Sequence, residues 1–420
     1  MSEFHISGGI PLEGELTVHG AKNSVLPILA ACLLTRRQVT IQNCPRLTDV
    51  SAALTILEHL GCTARWEGNT VVLDPSAADG TEIPEGLMRS MRSSIIFLGP
   101  LLARNGLARL TYPGGCELGP RPIDLHLAAM RQLGAKVTEG PEGLCCEGRL
   151  VGCDIHLSIP SVGATENAML AAVGAAGETT ITNAAREPEI MELQRFLNLL
   201  GGKVRGAGSS TISVEGMRPL FGGSYTIMGD RIVAITLMSA AAAAGGTVRL
   251  EGVDWRHVST VSAVLAEAGC GVYSDSGGVT VSRDAGRPLR GVPTIRTAPY
   301  PGFPTDGQAP VMAALAAGQG TTMFVENMFD SRYRHVPELV RMGADITTEG
   351  RVALVRAVSK LHGARVEAAD LRGGGALAVA ALGAEGDTVL SGVHHIDRGY
   401  ERLETLVCQL GGSMTRQETA

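Results

Sequence analysis

The chain of 420 residues has 36 basic and 42 acidic residues, a formal net charge of −6 and no long basic run. This balance argues against a nucleic-acid-binding groove, which requires a basic surface. The nine cysteines are scattered and odd in number, a pattern typical of reduced thiols and not of a disulfide framework. The N-terminus has no signal-peptide pattern, and the longest apolar stretch, residues 232–244, is too short to span a bilayer. We therefore expect a cytoplasmic protein without membrane insertion.

A short signature recurs six times along the chain: an apolar helix end followed by glycine, a small residue and a β-like step. Its glycines are Gly61, Gly134, Gly201, Gly269, Gly343 and Gly411, which are 73, 67, 68, 74 and 68 residues apart. Six units of this size account for essentially the whole chain. The sequence therefore predicts one supersecondary unit of about 70 residues that is repeated six times.

Each unit begins with an apolar helix rich in small residues. A turn, a β-branched strand, an amphipathic helix that ends at the signature and further short strands follow it. The apolar helices begin near residues 22, 91, 161, 230, 303 and 370. A helix that is apolar all round is a buried helix. We therefore predict an α/β fold with helices inside and sheets around them, most naturally in two lobes of three units.

Polar residues interrupt the apolar pattern at the equivalent place in every unit, the first turn of the buried helix. They are Lys22 with Asn23, Arg92, Ser161 to Gly163, Arg231, Thr305 with Asp306, and Asp370 with Arg372. Helix N-termini bind anions through free N–H groups and a positive dipole end. Capping explains any single polar residue here, but basic residues have the wrong sign for an N-terminus. Several basic residues at equivalent positions therefore predict a substrate with several negative charges.

The segment TYPGGCELGPRPIDLH, from Thr111 to His126, is a second unusual feature. Its glycines and prolines predict a loop, and it carries Cys116 with Arg121 five residues later. An isolated cysteine is most often an inert buried residue. The loop and the neighbouring cation favour instead an exposed thiol of lowered pKa.

Nine motifs, in order along the whole chain, closely resemble those of one family of enolpyruvyl transferases, the UDP-N-acetylglucosamine 1-carboxyvinyltransferases. They are GAKNSVLP, MRSS, PGGCELGPRPIDLH, PSVGATEN, NAAREPEI, GFPTD, RYRHVPEL, ADLRGGGAL and HHIDRGYERLE. The resemblance implies two lobes, each an inside-out α/β barrel of three units. One lobe would span residues 22–229 and carry a lid loop around Cys116. The other would combine residues 1–21 with 230–420, and the active site would lie in the cleft between the lobes.

The same resemblance implies a reaction. The enolpyruvyl group of phosphoenolpyruvate would be transferred to the 3-hydroxyl of UDP-N-acetylglucosamine with release of phosphate, the first committed step of peptidoglycan precursor synthesis. Cys116 would be the general acid and could form a covalent adduct with phosphoenolpyruvate. Asp306 would be the base at the sugar hydroxyl, although TD before an apolar run is also a good N-cap sequence. Asp370 would orient Arg372 or assist deprotonation. We expect no metal or organic cofactor, and a monomer or weak oligomer.

Two overlapping sets of residues are implied to bind the substrates. In the first set, Lys22, Arg121 and Arg398 would hold the phosphate, with Lys22 and Arg398 also counted as catalytic. In the second, Asp124 would accept an N–H of the uracil and Ser161 to Gly163 would face the diphosphate. The phosphoenolpyruvate set is Lys22, Asn23, Arg92, Cys116, Arg121, Arg372 and Arg398. The UDP-N-acetylglucosamine set is Asn23, Arg92, Arg121, Pro122, Ile123, Asp124, Leu125, Ser161, Val162, Gly163, Thr305, Asp306 and Met328.

Two alternatives remain open at this point. The shikimate-pathway enolpyruvyl transferase uses the same donor, although the Cys116 loop and the RPID segment favour a nucleotide sugar. A silent paralogue that binds the sugar nucleotide and regulates the pathway belongs to a different class of protein. Such a copy would be expected to lose Cys116, Asp306 or Arg398, and all three are present.

Overall fold

The computed structural model describes residues 2–112, 123–141 and 143–418. Its strands are β1 (Ser2–Ser7), β2 (Leu12–Thr17), β3 (Val39–Gln42), β4 (Thr63–Glu67), β5 (Thr70–Asp74), β6 (Glu82–Ile83), β7 (Leu107–Leu110), β8 (Lys136–Gly140), β9 (Gly143–Glu147), β10 (Asp154–His156), β11 (Glu178–Thr182), β12 (Lys203–Arg205), β13 (Thr211–Glu215), β14 (Gly223–Thr226), β15 (Gly246–Glu251), β16 (Gly271–Asp275), β17 (Gly278–Arg283), β18 (Thr294–Arg296), β19 (Thr321–Val325), β20 (Asp345–Glu349), β21 (Val352–Arg356), β22 (Arg365–Glu367), β23 (Asp387–Ser391) and β24 (Ser413–Glu418).

The helices alternate with these strands. They are α1 (Lys22–Ala31), α2 (Thr48–His59), α3 (Glu85–Ser90), α4 (Leu98–Asn105), α5 (Asp124–Gln132), α6 (Val162–Val173), α7 (Pro188–Leu199), α8 (Arg231–Ala244), α9 (Ser259–Glu267), α10 (Thr305–Leu315), α11 (Val336–Arg341), α12 (Leu371–Gly383), α13 (Val393–Ile396) and α14 (Leu403–Gln409). Short 3₁₀ helices cover Cys32–Leu34, Arg92–Phe97 and Trp255–Val258. No helix in the described part of the chain has both the length and the apolar character needed to cross a membrane.

Six four-stranded sheets share one arrangement, in which a parallel edge strand lies beside a central strand that is followed by two antiparallel strands. The orders are β14-β3-β5-β4, β6-β7-β9-β8, β10-β11-β13-β12, β2-β15-β17-β16, β18-β19-β21-β20 and β22-β23-β1-β24. The predicted six-fold repeat is therefore confirmed, with one sheet in each unit of the repeat. In four of the sheets, the parallel edge strand and its central partner lie just before and just after the same buried helix. In the other two sheets the edge strands are exchanged: β2, which precedes α1, pairs with β15, and β14, which precedes α8, pairs with β3.

The described residues divide into two compact bodies. The first body, called the 20–228 unit, holds the first three sheets. The second body, called the 229–418 unit, also includes residues 2–19 and holds the other three sheets. Each has its own hydrophobic core. The N-terminal strand β1 pairs antiparallel with β23 and β24, with Phe4 opposite Leu390 and Arg416. The N-terminal strand therefore completes the last sheet of the 229–418 unit, as the resemblance implied.

The signature glycines stop the six amphipathic helices. α2, α5, α7, α9, α11 and α14 each end two residues before a signature glycine, and the six glycines all have positive φ, between +78° and +105°. A residue with a β-carbon rarely adopts this conformation, which is why glycine commonly terminates helices. The signature is thus a helix stop, and the outer antiparallel strand of each sheet follows it directly.

The apolar helices form the interior of each body. In the 229–418 unit, α8, α10 and α12 pack on one another, and every residue of α8 except Ala243 is buried. In the 20–228 unit, α4 packs on α6. The prediction of small-residue helices enclosed by sheets is therefore confirmed.

One predicted helix is broken. The segment from Arg92 starts as a 3₁₀ helix and becomes α4 only at Leu98, because the side chain of Asn167 is inserted at the junction. Its Oδ1 accepts from Gly99 N (2.7 Å) and its Nδ2 donates to Ile95 O (2.8 Å). In a continuous α-helix Gly99 N would donate directly to Ile95 O, so the Asn167 amide takes the place of that hydrogen bond. Pro100, which lacks an N–H, also prevents an α-helix from continuing upstream. Arg92 therefore begins a 3₁₀ turn and not an α-helix.

The glycines of LRGGGAL allow close packing at the start of α12. A β-carbon at Gly375 would lie 2.5 Å from the hydroxyl of Tyr400, and one at Gly374 would lie 2.6 Å from Ile396. Tyr400 is fully buried, and its hydroxyl shares a hydrogen bond of 2.9 Å with Thr236 on α8. These glycines therefore let the segment after β23 pack directly on the first turns of α12.

Gly375→Ala should destabilise the protein. The added methyl overlaps a buried tyrosine that cannot move without breaking its bond to Thr236, and overpacking of this kind typically costs about 1–3 kcal/mol. Chemical denaturation with a fluorescence readout would measure the loss. Gly86→Ala is the control, because a β-carbon there meets nothing within 4 Å. Equal stability of the two variants would contradict the packing role of Gly375.

Candidate active site

Asp306, the second residue of α10, holds two buried arginines. Its Oδ2 accepts from Arg372 Nε (3.1 Å) and Nη2 (3.0 Å), and its Oδ1 accepts from Arg332 Nη2. The side chains of Arg332 and Arg372 are 2% and 5% exposed, whereas that of Asp306 is 26% exposed. Buried charges are tolerated when they are paired. Asp306 is therefore the counter-ion of both arginines, and it is itself accessible.

The alternative interpretation of Asp306 as an N-cap is wrong. Pro304 occupies the cap position of α10, and both oxygens of Asp306 contact guanidinium groups. Arg332 was missed by the sequence analysis. It lies in RYRHVPEL, just before α11, where no repeat periodicity marks it. The only available signal was its place in a family motif.

Asp370 fixes the start of α12. Its Oδ1 accepts from the backbone N–H groups of Arg372 (3.0 Å) and Gly373 (2.9 Å), which is a side-chain N-cap. It therefore orients Arg372 through the backbone, while the guanidinium of Arg372 pairs with Asp306. Burial alone would lower the pKa of that guanidinium, but the negative charge of Asp306, then Tyr400 and Asp230, raises it above its usual value.

Arg398 lies in the turn after α13, and the segment from Arg398 to Tyr400 packs on the start of α12. A β-carbon at Gly399 would lie 2.8 Å from Leu371, and Tyr400 lies under the Arg372 guanidinium, 5.8 Å from the ring centroid. Asp306, Asp370 and Arg372 thus lie together around the first turn of α12, and the residues that follow Arg398, Gly399 and Tyr400, pack against the same turn. Arg231, by contrast, is buried at the start of α8 with its guanidinium 5.9 Å from the ring centroid of Tyr300.

Thr305 and Met328 are connected by one buried carboxylate. Thr305 is the first residue of α10, and its hydroxyl donates to Glu326 Oε2 (3.0 Å). Met328, which follows β19 and is 36% exposed, donates its backbone N–H to Glu326 Oε1 (2.7 Å). Glu326 also escaped the sequence analysis.

In the 20–228 unit, Lys22 is the first residue of α1 and is paired. Its Nζ lies 2.6 Å from Asp49 Oδ2 on α2, and both side chains are largely buried, at 10% and 3% exposure. Asn23 beside it is half-buried. A phosphate that binds Lys22 would therefore have to compete with Asp49 or share the lysine with it.

His126 on α5 was also missed, although it ends the motif that contains Cys116. Asn167 bonds Gly99 through its oxygen and Ile95 through one N–H, so its second N–H points to His126 Nδ1 at 2.9 Å. This arrangement makes Nδ1 an acceptor and places the ring proton on Nε2. The pKa of His126 is lowered to about 4, mainly by burial and then by the nearby positive charge of Arg92. The negative charge of Asp124 raises the pKa, but by less.

The predicted diphosphate turn lies against this histidine. A β-carbon at Gly163 would lie 3.4 Å from His126 Nε2. Ser161 caps α6, accepting from Ala164 N at 3.4 Å, and its own N–H donates to Ile159 O. The amides at the open end of the helix are therefore those of Val162 and Gly163, so two of the three predicted donors can face an anion.

The remaining predicted residues lie at or beyond the edge of the described segment. Cys116, Arg121 and Pro122 are outside the described residues. Ile123 is the N-cap residue of α5, Asp124 is its exposed first residue and Leu125 is half-buried. Within the described ranges, no group of three or more His, Cys, Asp or Glu side chains is placed to hold a metal ion.

Comparisons with known proteins identify the family. Residues 6–406 match the family model described as EPSP synthase (3-phosphoshikimate 1-carboxyvinyltransferase). The chain belongs to the enolpyruvyl transferase family. A relative from Caldanaerobacter subterraneus subsp. tengcongensis, named UDP-N-acetylglucosamine 1-carboxyvinyltransferase 2, is 48% identical over 99% of this chain and 100% of its own. One from Symbiobacterium thermophilum, named UDP-N-acetylglucosamine 1-carboxyvinyltransferase 1, is 46% identical over 98% of this chain and 95% of its own.

Solved structures of enolpyruvyl transferases have the same fold. The enolpyruvyl transferase NikO from Streptomyces tendae superposes with a TM-score of 0.89 and 26% identity, covering 100% of this chain and 99% of its own. EPSP synthase from Acinetobacter baumannii has a TM-score of 0.75 and 21% identity, with full coverage of both chains, which shows the fold alone. The predicted inside-out α/β barrel, the fold of this family, is therefore confirmed.

His126 should stay neutral far below the usual pKa of histidine. A proton on Nδ1 would face an N–H of Asn167, so the folded state resists protonation until about pH 4. The unfolded chain takes up this proton near pH 6.5. The free energy of unfolding should therefore fall by about 3 kcal/mol in total as the pH drops from 6.5 to 4. NMR of the imidazole nitrogens would show the titration, and His126→Gln should flatten this part of the stability profile. A midpoint near 6.5 in the folded protein would contradict the assignment.

Proposed function

We propose that this protein transfers the enolpyruvyl group of phosphoenolpyruvate to the 3-hydroxyl of UDP-N-acetylglucosamine and releases phosphate. The observation that carries the proposal is the pairing of Asp306 with Arg332 and Arg372 at the start of α10 and α12. It combines a candidate base with two cations for a substrate carboxylate or phosphate. The relatives named for this reaction, which are 44–48% identical over nearly the whole chain, support the choice of acceptor. The reaction would begin peptidoglycan precursor synthesis.

Basic side chains would bind the anionic groups of the substrates. Lys22, Arg121 and Arg398 would take the phosphate, and Arg92, Arg332 and Arg372 the other anionic groups. Arginine suits this task because its planar group donates two parallel hydrogen bonds to a carboxylate or phosphate. Val162, Gly163 and the Nε2–H of His126 would donate to the diphosphate of the sugar nucleotide.

Anion binding would also free the base. Both oxygens of Asp306 accept hydrogen bonds from guanidinium groups, and a base needs an oxygen within reach of the proton that it removes. An incoming carboxylate or phosphate that binds Arg332 and Arg372 would take over their charge and release Asp306. The sugar hydroxyl would then lose its proton to Asp306 as it attacks phosphoenolpyruvate. This order couples the base to the presence of the donor substrate.

Cys116 would deliver the proton to the methylene carbon of phosphoenolpyruvate as the sugar oxygen adds to the neighbouring carbon. Phosphate would then leave as a proton is removed from the new methyl group, which restores the double bond of the enolpyruvyl product. The thiol could also form a covalent adduct with phosphoenolpyruvate. No metal or organic cofactor is needed in this scheme, because arginine and lysine side chains supply the positive charge. We place the reaction in the cytoplasm, since the eight described cysteines are free thiols, as a reducing compartment maintains them.

Purified protein with phosphoenolpyruvate should release phosphate when UDP-N-acetylglucosamine is added. A colorimetric phosphate assay would measure this, with shikimate-3-phosphate as the competing acceptor. Release with shikimate-3-phosphate instead would replace the proposed acceptor. Binding of the sugar nucleotide without any release would indicate a regulatory paralogue.

Asp306→Asn should still fold and bind substrate, with a lower free energy of unfolding because Arg332 and Arg372 lose their counter-ion, and it should lose most turnover. The amide oxygen still accepts from one arginine but cannot take a proton, and general base catalysis is commonly worth about 10²- to 10⁴-fold. Steady-state kinetics and circular dichroism would separate catalysis from folding. Asp345→Asn is the matched control, because Asp345 lies in an exposed ion pair with Arg356 on the sheet of the same unit. Near-wild-type turnover of Asp306→Asn would rule out the base.

A further inference from the structure

We propose that Glu326 is a positioning residue for the sugar nucleotide, because it ties Thr305 and the backbone at Met328 into one rigid surface beside Asp306. The proposal rests on the function given above and on the binding of UDP-N-acetylglucosamine by Thr305 and Met328, which the family resemblance implies. Glu326 would not itself touch the substrate. It would act through the groups that its carboxylate holds.

Glu326 is an unusual residue for its environment. It directly follows β19 and is completely buried. A buried carboxylate is costly unless hydrogen bonds or an opposite charge compensate it. No lysine or arginine pairs with it among the described residues, so hydrogen bonds must compensate its charge. A buried acid without an ionic partner therefore serves as an acceptor for specific donors.

Three donors converge on this carboxylate from two parts of the chain. Oε1 accepts from the backbone N–H groups of Met328 (2.7 Å) and Phe329 (3.1 Å), which folds the segment after β19 into a tight turn. Oε2 accepts from the hydroxyl of Thr305 at 3.0 Å, 21 residues earlier in the sequence. Hydrogen bonds to a charged acceptor are roughly twice as strong as neutral ones. The turn after β19 is thereby fixed against the first residue of α10.

The same turn is connected to the arginine pair. The Arg332 guanidinium lies 5.5 Å from the ring centroid of Phe329, and Arg332 Nε donates to Thr305 O at 3.3 Å. Thr305 is therefore held through its side chain by Glu326 and through its carbonyl by Arg332. Asp306 follows it directly and binds both arginines. Glu326 thus sets the position of the sugar-contacting residues relative to the base.

Glu326→Ala removes the acceptor from all three donors. Because Thr305 and Met328 would bind the sugar in the ground state and the transition state alike, the loss should appear in KM and not in kcat. We expect the KM for UDP-N-acetylglucosamine to rise about 10- to 100-fold, the order expected when one or two hydrogen bonds to a charged group are lost. The KM for phosphoenolpyruvate should change little. Glu326→Gln keeps an oxygen for the two backbone donors and should restore most of the affinity.

Matched variants separate this role from general stability. Glu349→Ala removes an exposed glutamate from β20, in the same sheet as β19, and should behave as wild type. Thr305→Val keeps the shape of the side chain but removes the donor to Glu326. It should raise the same KM even if Glu326→Ala folds poorly. In the double variant Glu326→Ala, Thr305→Val the rise in KM should be smaller than the product of the two single rises, because both changes remove the hydrogen bond between these two residues.

The steady-state kinetics of these variants decide the proposal. A selective rise in the KM for the sugar nucleotide, rescued by Glu326→Gln, supports it. If the wild type is active and neither Glu326→Ala nor Thr305→Val changes the KM for the sugar nucleotide, this inference is wrong, whereas the proposed function stands. Equal losses for both substrates that track a lowered melting temperature, without rescue by Glu326→Gln, also overturn it. Wild type that does not use UDP-N-acetylglucosamine overturns the proposed function, and this inference with it.

Discussion

The burial of six helices on all sides is the constraint on which the rest of the structure depends. A helix such as α8 or α12 contacts protein along almost its whole length, so nearly every position must be apolar or small. Charged groups can reach a ligand only at the ends of such a helix. In five of the six repeat units, the polar residues lie at the start of an α-helix. In the remaining unit they lie in the 3₁₀ turn that begins at Arg92. The location of the chemistry is thus a consequence of how the core is built.

Charges at these ends are paired within the protein. Lys22 is paired with Asp49, and Asp306 holds Arg332 and Arg372. Removal of one partner from a buried pair costs about 3–5 kcal/mol, because the other charge is left uncompensated. An anionic substrate that replaces an internal partner avoids this cost, whereas a neutral molecule does not. The paired charges therefore favour substrates whose anionic groups can replace the internal partners.

Much of the fold could be predicted from the sequence because it depends on local signals. A glycine that must adopt positive φ and an all-apolar helix are visible in any one unit, and their recurrence multiplies the evidence. Asp306 and Arg372 could be found for the same reason, since they occupy a repeated position. Arg332, Asp49, His126 and Glu326 could not, because their roles arise from tertiary contacts. Arg332 meets Asp306 across 26 residues and Asn167 meets His126 across 41, and no periodic pattern encodes such a pairing.

The six equivalent helix ends have also acquired different functions, and their caps show how. Asp230 and Asp370 cap α8 and α12 with their own carboxylates, each of which takes up two backbone N–H groups. The ends of α1 and α10 follow Ala21 and Pro304, whose side chains make no capping hydrogen bond. A capped end has fewer donors to offer a ligand, whereas an uncapped end keeps its first-turn amides available. These two ends carry Lys22 with Asn23 and Thr305 with Asp306, and the 3₁₀ turn at Arg92 likewise follows a residue without a side-chain cap, Met91. The capped ends of α6 and α12 also carry residues to which we assign substrate contacts. There α6 offers the amides of Val162 and Gly163 that its cap leaves open, and α12 offers the side chain of Arg372, so equivalent ends of the repeat are adapted for binding in different ways.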